Sequence, residues 1–309
     1  NSLRLQRRIS RSRKLLPAVA MIAVAIWAAS GLFSHNLWGQ FACFVISTYL
    51  MVELNNSNAL IRIYSRMMSC SYIIMVCMSP FLFHSTATMI LSICMVATFI
   101  ALFITYQDKH SMGWTFYGFT SLGIASVIDV RMIYFTPVMW GAMTFYLQSM
   151  TLRTFIASIF GLLCPYWFLS LYLIYTSDFA PATEHFSKLA TFHGIADFSA
   201  VPVNALFSMG LVGILAITGI IHNIRDRIND KTRTRMLFNT FTLVDIFSIV
   251  FIILQPQLYT SLLIAMIITT SPLIAHFIAL TETKITNWAF MAIVIAAFSL
   301  TLMNIIQLI

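Results

Sequence analysis

One residue stands out by where it sits. Asp245 lies in the run Thr240-Phe-Thr-Leu-Val-Asp-Ile-Phe-Ser248, near the middle of a long apolar stretch. A carboxylate at mid-membrane depth costs about 2.5–3.5 kcal/mol on insertion scales, so something must offset it. Such a group serves as a proton or cation site, as a carboxylate in a water-filled cavity, or as a partner for polar groups on a neighbouring helix. His276 and Asn204, each inside another apolar run, are the candidate partners.

Arginines form the second set. Arg62 and Arg66 are four residues apart, which on a helix places them on one face. Glu53 precedes them by a few residues, so a salt bridge at the membrane surface and a clamp for a lipid phosphate both suit the pair. Arg131 follows a short glycine-containing run and sits beside Asp129. It would hold a lipid phosphate or a carboxylated sugar, or else pair with Asp129 or Glu184. Three acids fall in neighbouring connections and are the candidates for a general base: Asp129, Glu184 and Asp197.

Other chemistries find no support. His35, His84, His185 and His193 are dispersed, with no HxxxH or HExxH spacing, so no metal is expected. Cys43, Cys70, Cys77, Cys94 and Cys164 lie in apolar runs without a CxxC and read as packing residues. There is no GxSxG and no phosphate-binding loop, and no cofactor is expected.

The elements that must position these groups follow from composition. Of 309 residues, 60% are hydrophobic and 9% charged, with a mean hydropathy of +0.88. Soluble domains run nearer 45–50% apolar and about 25% charged. A soluble enzyme, a disordered chain and a nucleic-acid module are excluded, leaving an all-α polytopic membrane protein. Apolar runs fall at 15–34, 37–53, 60–82, 86–106, 113–128, 132–149, 154–176, 201–221, 236–253, 258–279 and 286–307. Each is read as a span, giving ten or eleven helices. The run after Lys14 reads as a first span rather than a cleaved leader.

The net charge of +8 is distributed by side. With the N-terminus in the cytoplasm, 16 of the 18 basic residues fall inside and only Arg131 and Lys188 outside. The positive-inside rule accounts for that without a ligand. The expected organisation is a basic cytoplasmic tail at 1–14, including Arg4, and one transmembrane domain at 15–309. That domain has an outer segment at 177–200 and a cytoplasmic loop at 222–235. The outer segment, with a helical turn or two at 183–190, is expected to roof a cavity holding Arg131. The expected setting is a bacterial inner membrane.

The run Leu60-Ile-Arg-Ile-Tyr-Ser-Arg66, a span to Ser79-Pro80, a second span over 86–107, and Gly118 to Arg131 together resemble membrane glycosyltransferases of the C type. Those enzymes use polyprenyl-phosphate sugars. The stretch 133–174, with Arg153, Gly161 and Cys164-Pro165, is similar to an uncharacterised multispan inner-membrane family of Bacteroidota-type bacteria. The resemblance covers about residues 55–175 and implies a C-type helix arrangement. It also implies an undecaprenyl-phosphate-linked glycan as substrate, held by Arg131, Arg62 and Arg66. The family's catalytic acid lies in a large first outer loop, whereas here that turn is only Ser34-His35-Asn36. Either Asp129, Glu184 or Asp197 replaces it, or the protein is a non-catalytic subunit working with other membrane proteins. A transporter or flippase using Asp245 is the third reading. Membrane lipids are expected partners in all three, and nucleic acid in none.

Overall fold

A computed structural model describes residues 5–192 and 194–308. Arg4 and His193 lie outside the described residues. Among the described residues the chain is all helical. All eleven apolar runs become helices: α2 Leu15–Ala29, α3 Trp38–Asn58, α4 Met67–Cys77, α5 Thr86–Ile104, α6 Met112–Ile128, α7 Phe135–Phe145, α8 Leu152–Thr176, α10 Val203–Asp226, α11 Thr232–Leu254, α12 Tyr259–Leu280 and α13 Lys284–Leu308. Two further helices, α1 Leu5–Ser10 and α9 Ala180–Ser187, lie outside them. Six helices (α5, α8, α10, α11, α12 and α13) are long and apolar enough to cross a membrane. The fold is that of a helical membrane protein.

Two runs are shorter as helices than their apolar length suggests. α4 and α7 have 11 residues each, which at 1.5 Å per residue is about half the hydrocarbon thickness. Pro80 disfavours helix at Ser79 and starts a 3-10 turn, Pro80–Leu82. Asp129 caps a second 3-10 turn, Val130–Tyr134, before α7 begins. α4 compensates by burial, with all but one of its residues inside the protein. α9 starts three residues earlier than expected, with Pro181 in its first turn.

α12 is the central post and is buried along its length. α4, α5, α10 and α11 pack directly around it. α2 and α3 lean on α4, α3 also packs on α5, and α13 borders α10 and α4. α6 joins α5 to α8, and α8 shows most of its surface outward, including Phe160, Trp167 and Phe168.

The connections gather at two ends. At one end, the Gln6 side-chain amide donates to the Ile278 carbonyl at 2.8 Å, and Arg7 meets Glu282 at 3.1 Å. At the same end Ser65 donates to the Ser10 carbonyl at 2.8 Å, Arg233 to the Asn58 side chain at 3.0 Å, and Arg233 lies over the Tyr106 ring. At the other, Gln40 donates to Thr86, Phe81 meets Tyr259, Tyr134 donates to the Leu189 carbonyl, and Asn304 to the Met78 carbonyl.

α6 and α8 touch backbone to backbone through two glycines. A Cβ on Gly161 would lie 2.6 Å from the Phe116 carbonyl oxygen, and one on Gly123 2.8 Å from that of Leu162. Neither backbone atom can turn aside. Gly161→Val is therefore expected to cost about 1–3 kcal/mol, read as a lowered unfolding temperature in detergent. Gly210→Ala, where a Cβ meets nothing within 4 Å, serves as the unaffected comparison.

Candidate functional site

Polar groups on α12 face two neighbours at two depths. The deeper set centres on Asp245, which is fully buried on α11. The Thr269 hydroxyl donates to its Oδ1 at 2.7 Å, and the Thr270 hydroxyl lies 3.1 and 3.2 Å from its two oxygens. The Thr269 hydroxyl also lies within reach of the Ala265 and Met266 carbonyls, so its single hydrogen is contested. Among the described residues Asp245 forms no ion pair. Pro272 sits just beyond the threonines and leaves the Ile268 carbonyl without its helical donor.

Asp245 thus meets polar groups on another helix, as its burial demands, but not the ones expected. His276 lies two turns further along α12, about 9–10 Å along the axis. Asn204 sits in the first turn of α10, at the opposite end of that helix from His222.

The shallower set is built around His276, which is 1% exposed. Its Nδ1 lies 3.1 Å from Nε2 of His222 on α10. Its Nε2 lies 2.9 Å from the Asp230 carboxylate, close but off the N–H line. Arg62 spans two carboxylates, reaching Asp230 at 3.3 Å and Asp226 at 3.4 Å. Asn229 donates to the other oxygen of Asp226. Gly219 makes the approach possible, because a Cβ there would sit 2.7 Å from that of Leu273. The two sets are joined sideways. Asn223, next to His222, donates to the Thr242 hydroxyl at 3.2 Å, and Thr242 is one turn from Asp245.

Arg62 and Arg66 are not on one helix face. Ala59 adopts a left-handed conformation (φ 47°) that ends α3, and residues 60–66 are non-helical. Arg66 donates to the Asn56 side chain at 3.0 Å and lies over the Tyr64 ring, while Arg62 turns to Asp226 and Asp230. Both line a polar cavity of about 290 Å³. Among the described residues Glu53 pairs with neither.

At the other end, the expected grouping of acids around Arg131 does not form. The Asp129 carboxylate accepts from the Arg131 backbone N–H at 3.1 Å and from the Ser261 hydroxyl at 2.8 Å. Glu184 pairs with Lys188 at 3.5 Å on an exposed surface. Asp197 accepts from Gln257 at 3.0 Å and from Ser199. The Arg131 guanidinium has no ion pair among the described residues, and its Nε is buried without a partner. Segment 177–200 does fold over this end, through Tyr134 to Leu189 and through Ala196 to the Leu254 carbonyl. An apolar cleft of about 380 Å³ between α2, α4, α12 and α13 lies elsewhere and does not include Arg131.

No protein-family model, curated protein or solved structure matches this chain. The fold and its buried polar groups define it as a polytopic helical membrane protein.

His222 is the residue that reading the chain misses. Its spacing to Asp226 puts both on one face of α10, but that face gains meaning only once α12 brings His276 against it. Asp230 is the most electrostatically committed carboxylate here. Burial works against its charge, but the His276 imidazole 2.9 Å away, with Arg62 and His222, outweighs that and holds it below the ordinary value of 3.8. A depressed carboxylate stabilises the fold above its unfolded value, and that stability is lost as pH falls through the folded one. Unfolding temperature in detergent is expected to drop below about pH 4, and the drop to be shallower in Asp230→Asn.

Proposed function

We propose that the chain is an eleven-span protein of the bacterial inner membrane that moves a proton or small cation against a second solute, with Asp245 as the coupling carboxylate. Its N-terminus, the 59–66 link and the 222–235 loop are then cytoplasmic, and 177–200 is outside. The 16-to-two split of basic residues between the two ends supports that orientation. The observation that carries the reading is a fully buried carboxylate with two hydroxyl donors and no counter-charge among the described residues. An uncompensated buried charge costs several kcal/mol, so the nest is suited to taking up a cation and giving it back. Side chains on α10, α11 and α12 extend the polar line from the nest toward the cytoplasmic end, and the proline in α12 frees a carbonyl beside it. Carbonyls released in this way commonly serve ions in transporters.

A lipophilic carbodiimide reacts with a protonated carboxyl in an apolar site. Labelling of membranes is expected to map to Asp245, to fall as pH rises, and to vanish in Asp245→Asn. Modification of the wild type that leaves Asp245 untouched at every pH would end the coupling role.

A second reading, binding of an undecaprenyl-phosphate-linked substrate in envelope glycan assembly, is favoured by Arg131. That guanidinium sits against the charge rule at the outer end, without an acid partner among the described residues. None of Asp129, Glu184 and Asp197 stands beside it in an ion pair, which supports a binding role over a catalytic one. If Arg131 holds a phosphate by its fork, Arg131→Lys should weaken retention of a polyprenyl phosphate in detergent despite keeping the charge, and Arg131→Ala should weaken it further. Wild-type retention by the alanine variant would remove the phosphate anchor and with it this reading.

A further inference from the structure

We propose that His222, Asp226 and His276 form a binding site for a divalent transition metal, zinc being the best match, at the cytoplasmic end of α10 and α12. The inference does not depend on the role of Asp245. One ligand atom from each of the three residues lies within 4.8 Å of the others. The two imidazoles meet nitrogen to nitrogen, His222 Nε2 to His276 Nδ1, at 3.1 Å. Two nitrogens bound to one tetrahedral zinc at about 2.0–2.1 Å are about 3.3–3.4 Å apart, so the pair needs to open by only a few tenths of an ångström. Asp226 follows His222 by four residues, which brings its carboxylate to the same face of α10.

The surroundings fit a metal better than they fit a bare histidine pair. With Nδ1 of His276 on the metal, its hydrogen must sit on Nε2, which lies 2.9 Å from the Asp230 carboxylate. A carboxylate behind a ligating imidazole fixes its tautomer and raises its basicity. Arg62 bridges Asp226 and Asp230 and holds both in position. Each Asp226 oxygen has one donor, Asn229 or Arg62, and each keeps a lone pair for the metal. Two carboxylates against one guanidinium leave a net negative charge around neutral imidazoles. Phe238 packs on His276 with ring centroids 4.7 Å apart, and Phe277 on His222 at 5.4 Å, limiting access of water from the helix side. Two nitrogens and one oxygen suit zinc and its neighbours and not calcium or magnesium, which take oxygen. No fourth protein ligand stands within reach among the described residues, so the fourth position is open to water or to an incoming ligand, as in exchangeable rather than closed zinc sites.

The test uses the full chain in detergent, stripped with a chelator and titrated with zinc or cobalt(II). One equivalent should survive desalting, and cobalt should give the intense visible absorption of a tetrahedral site. His222→Gln and His276→Gln should each lose that equivalent. Asp230→Asn should weaken it by about 10–100-fold, and His84→Gln, at the opposite end beside His35, should leave it unchanged. Zinc should also protect His222 and His276 of the wild type from diethylpyrocarbonate, a readout that needs no variant to fold. Zinc retained undiminished by a folded double variant, no protection of these two histidines, or a cobalt spectrum of octahedral type would each overturn the proposal.

Discussion

No face of α12 is turned to lipid, and that constraint governs the rest of the molecule. Inside a bilayer no water repairs an unmet hydrogen bond. Each polar side chain that α12 carries must therefore be met inside the bundle, by its own helix, as Ser271 is by the Ile267 carbonyl, or by a helix packed against it. Thr269 and Thr270 find Asp245 on α11, and His276 finds His222 on α10. The approach distance is set by small residues: with any side chain at position 219, α10 could not come close enough for the two imidazoles to meet. Chemistry and packing are thus the same contacts seen from two sides.

The two ends of the bundle use charge differently. The end where most basic residues gather concentrates ion pairs and ligand-type side chains, and links from distant parts of the chain converge there. At the opposite end, Asp129 and Asp197 act as fasteners. Gln257 lies in the short turn between α11 and α12 and Ser261 in the first turn of α12, so both acids tie connections to this end of the central helix. Both acids are thus engaged elsewhere, and neither forms an ion pair with the Arg131 guanidinium among the described residues.

What could be read from the chain was local. Every apolar run is a helix because length and hydropathy decide that without reference to neighbours. The need of Asp245 for a partner on another helix was also legible, since an intramembrane charge carries its own cost. The identity of that partner was not. Thr269 and Thr270 look like ordinary helix residues until α12 is known to lie against α11. Arg62 and Arg66 were misread as helical because four-residue spacing says nothing about a chain that turns at Ala59 into a left-handed conformation. The breaks that shorten α4 and α7 were signalled by Pro80 and Asp129, but apolar composition masked them. His222 was silent because its significance comes from a residue 54 positions away.

The N-terminal tail closes over the end of α12 that carries Ile278, with Gln6 on the Ile278 carbonyl and Arg7 and Arg11 on Glu282. If the basic residues of this tail set the sidedness of the chain, they are also a brace on the finished structure. On that reading one stretch of sequence answers to two requirements that act at different times, first during insertion and then in the folded bundle. Neutralising its arginines to probe orientation would at the same time release the brace. Any change in behaviour would mix a sorting effect with a folding effect, unless Glu282 is altered in parallel. Charge in this tail is less free to drift than a simple sidedness signal, for which any lysine or arginine at roughly the right place would serve.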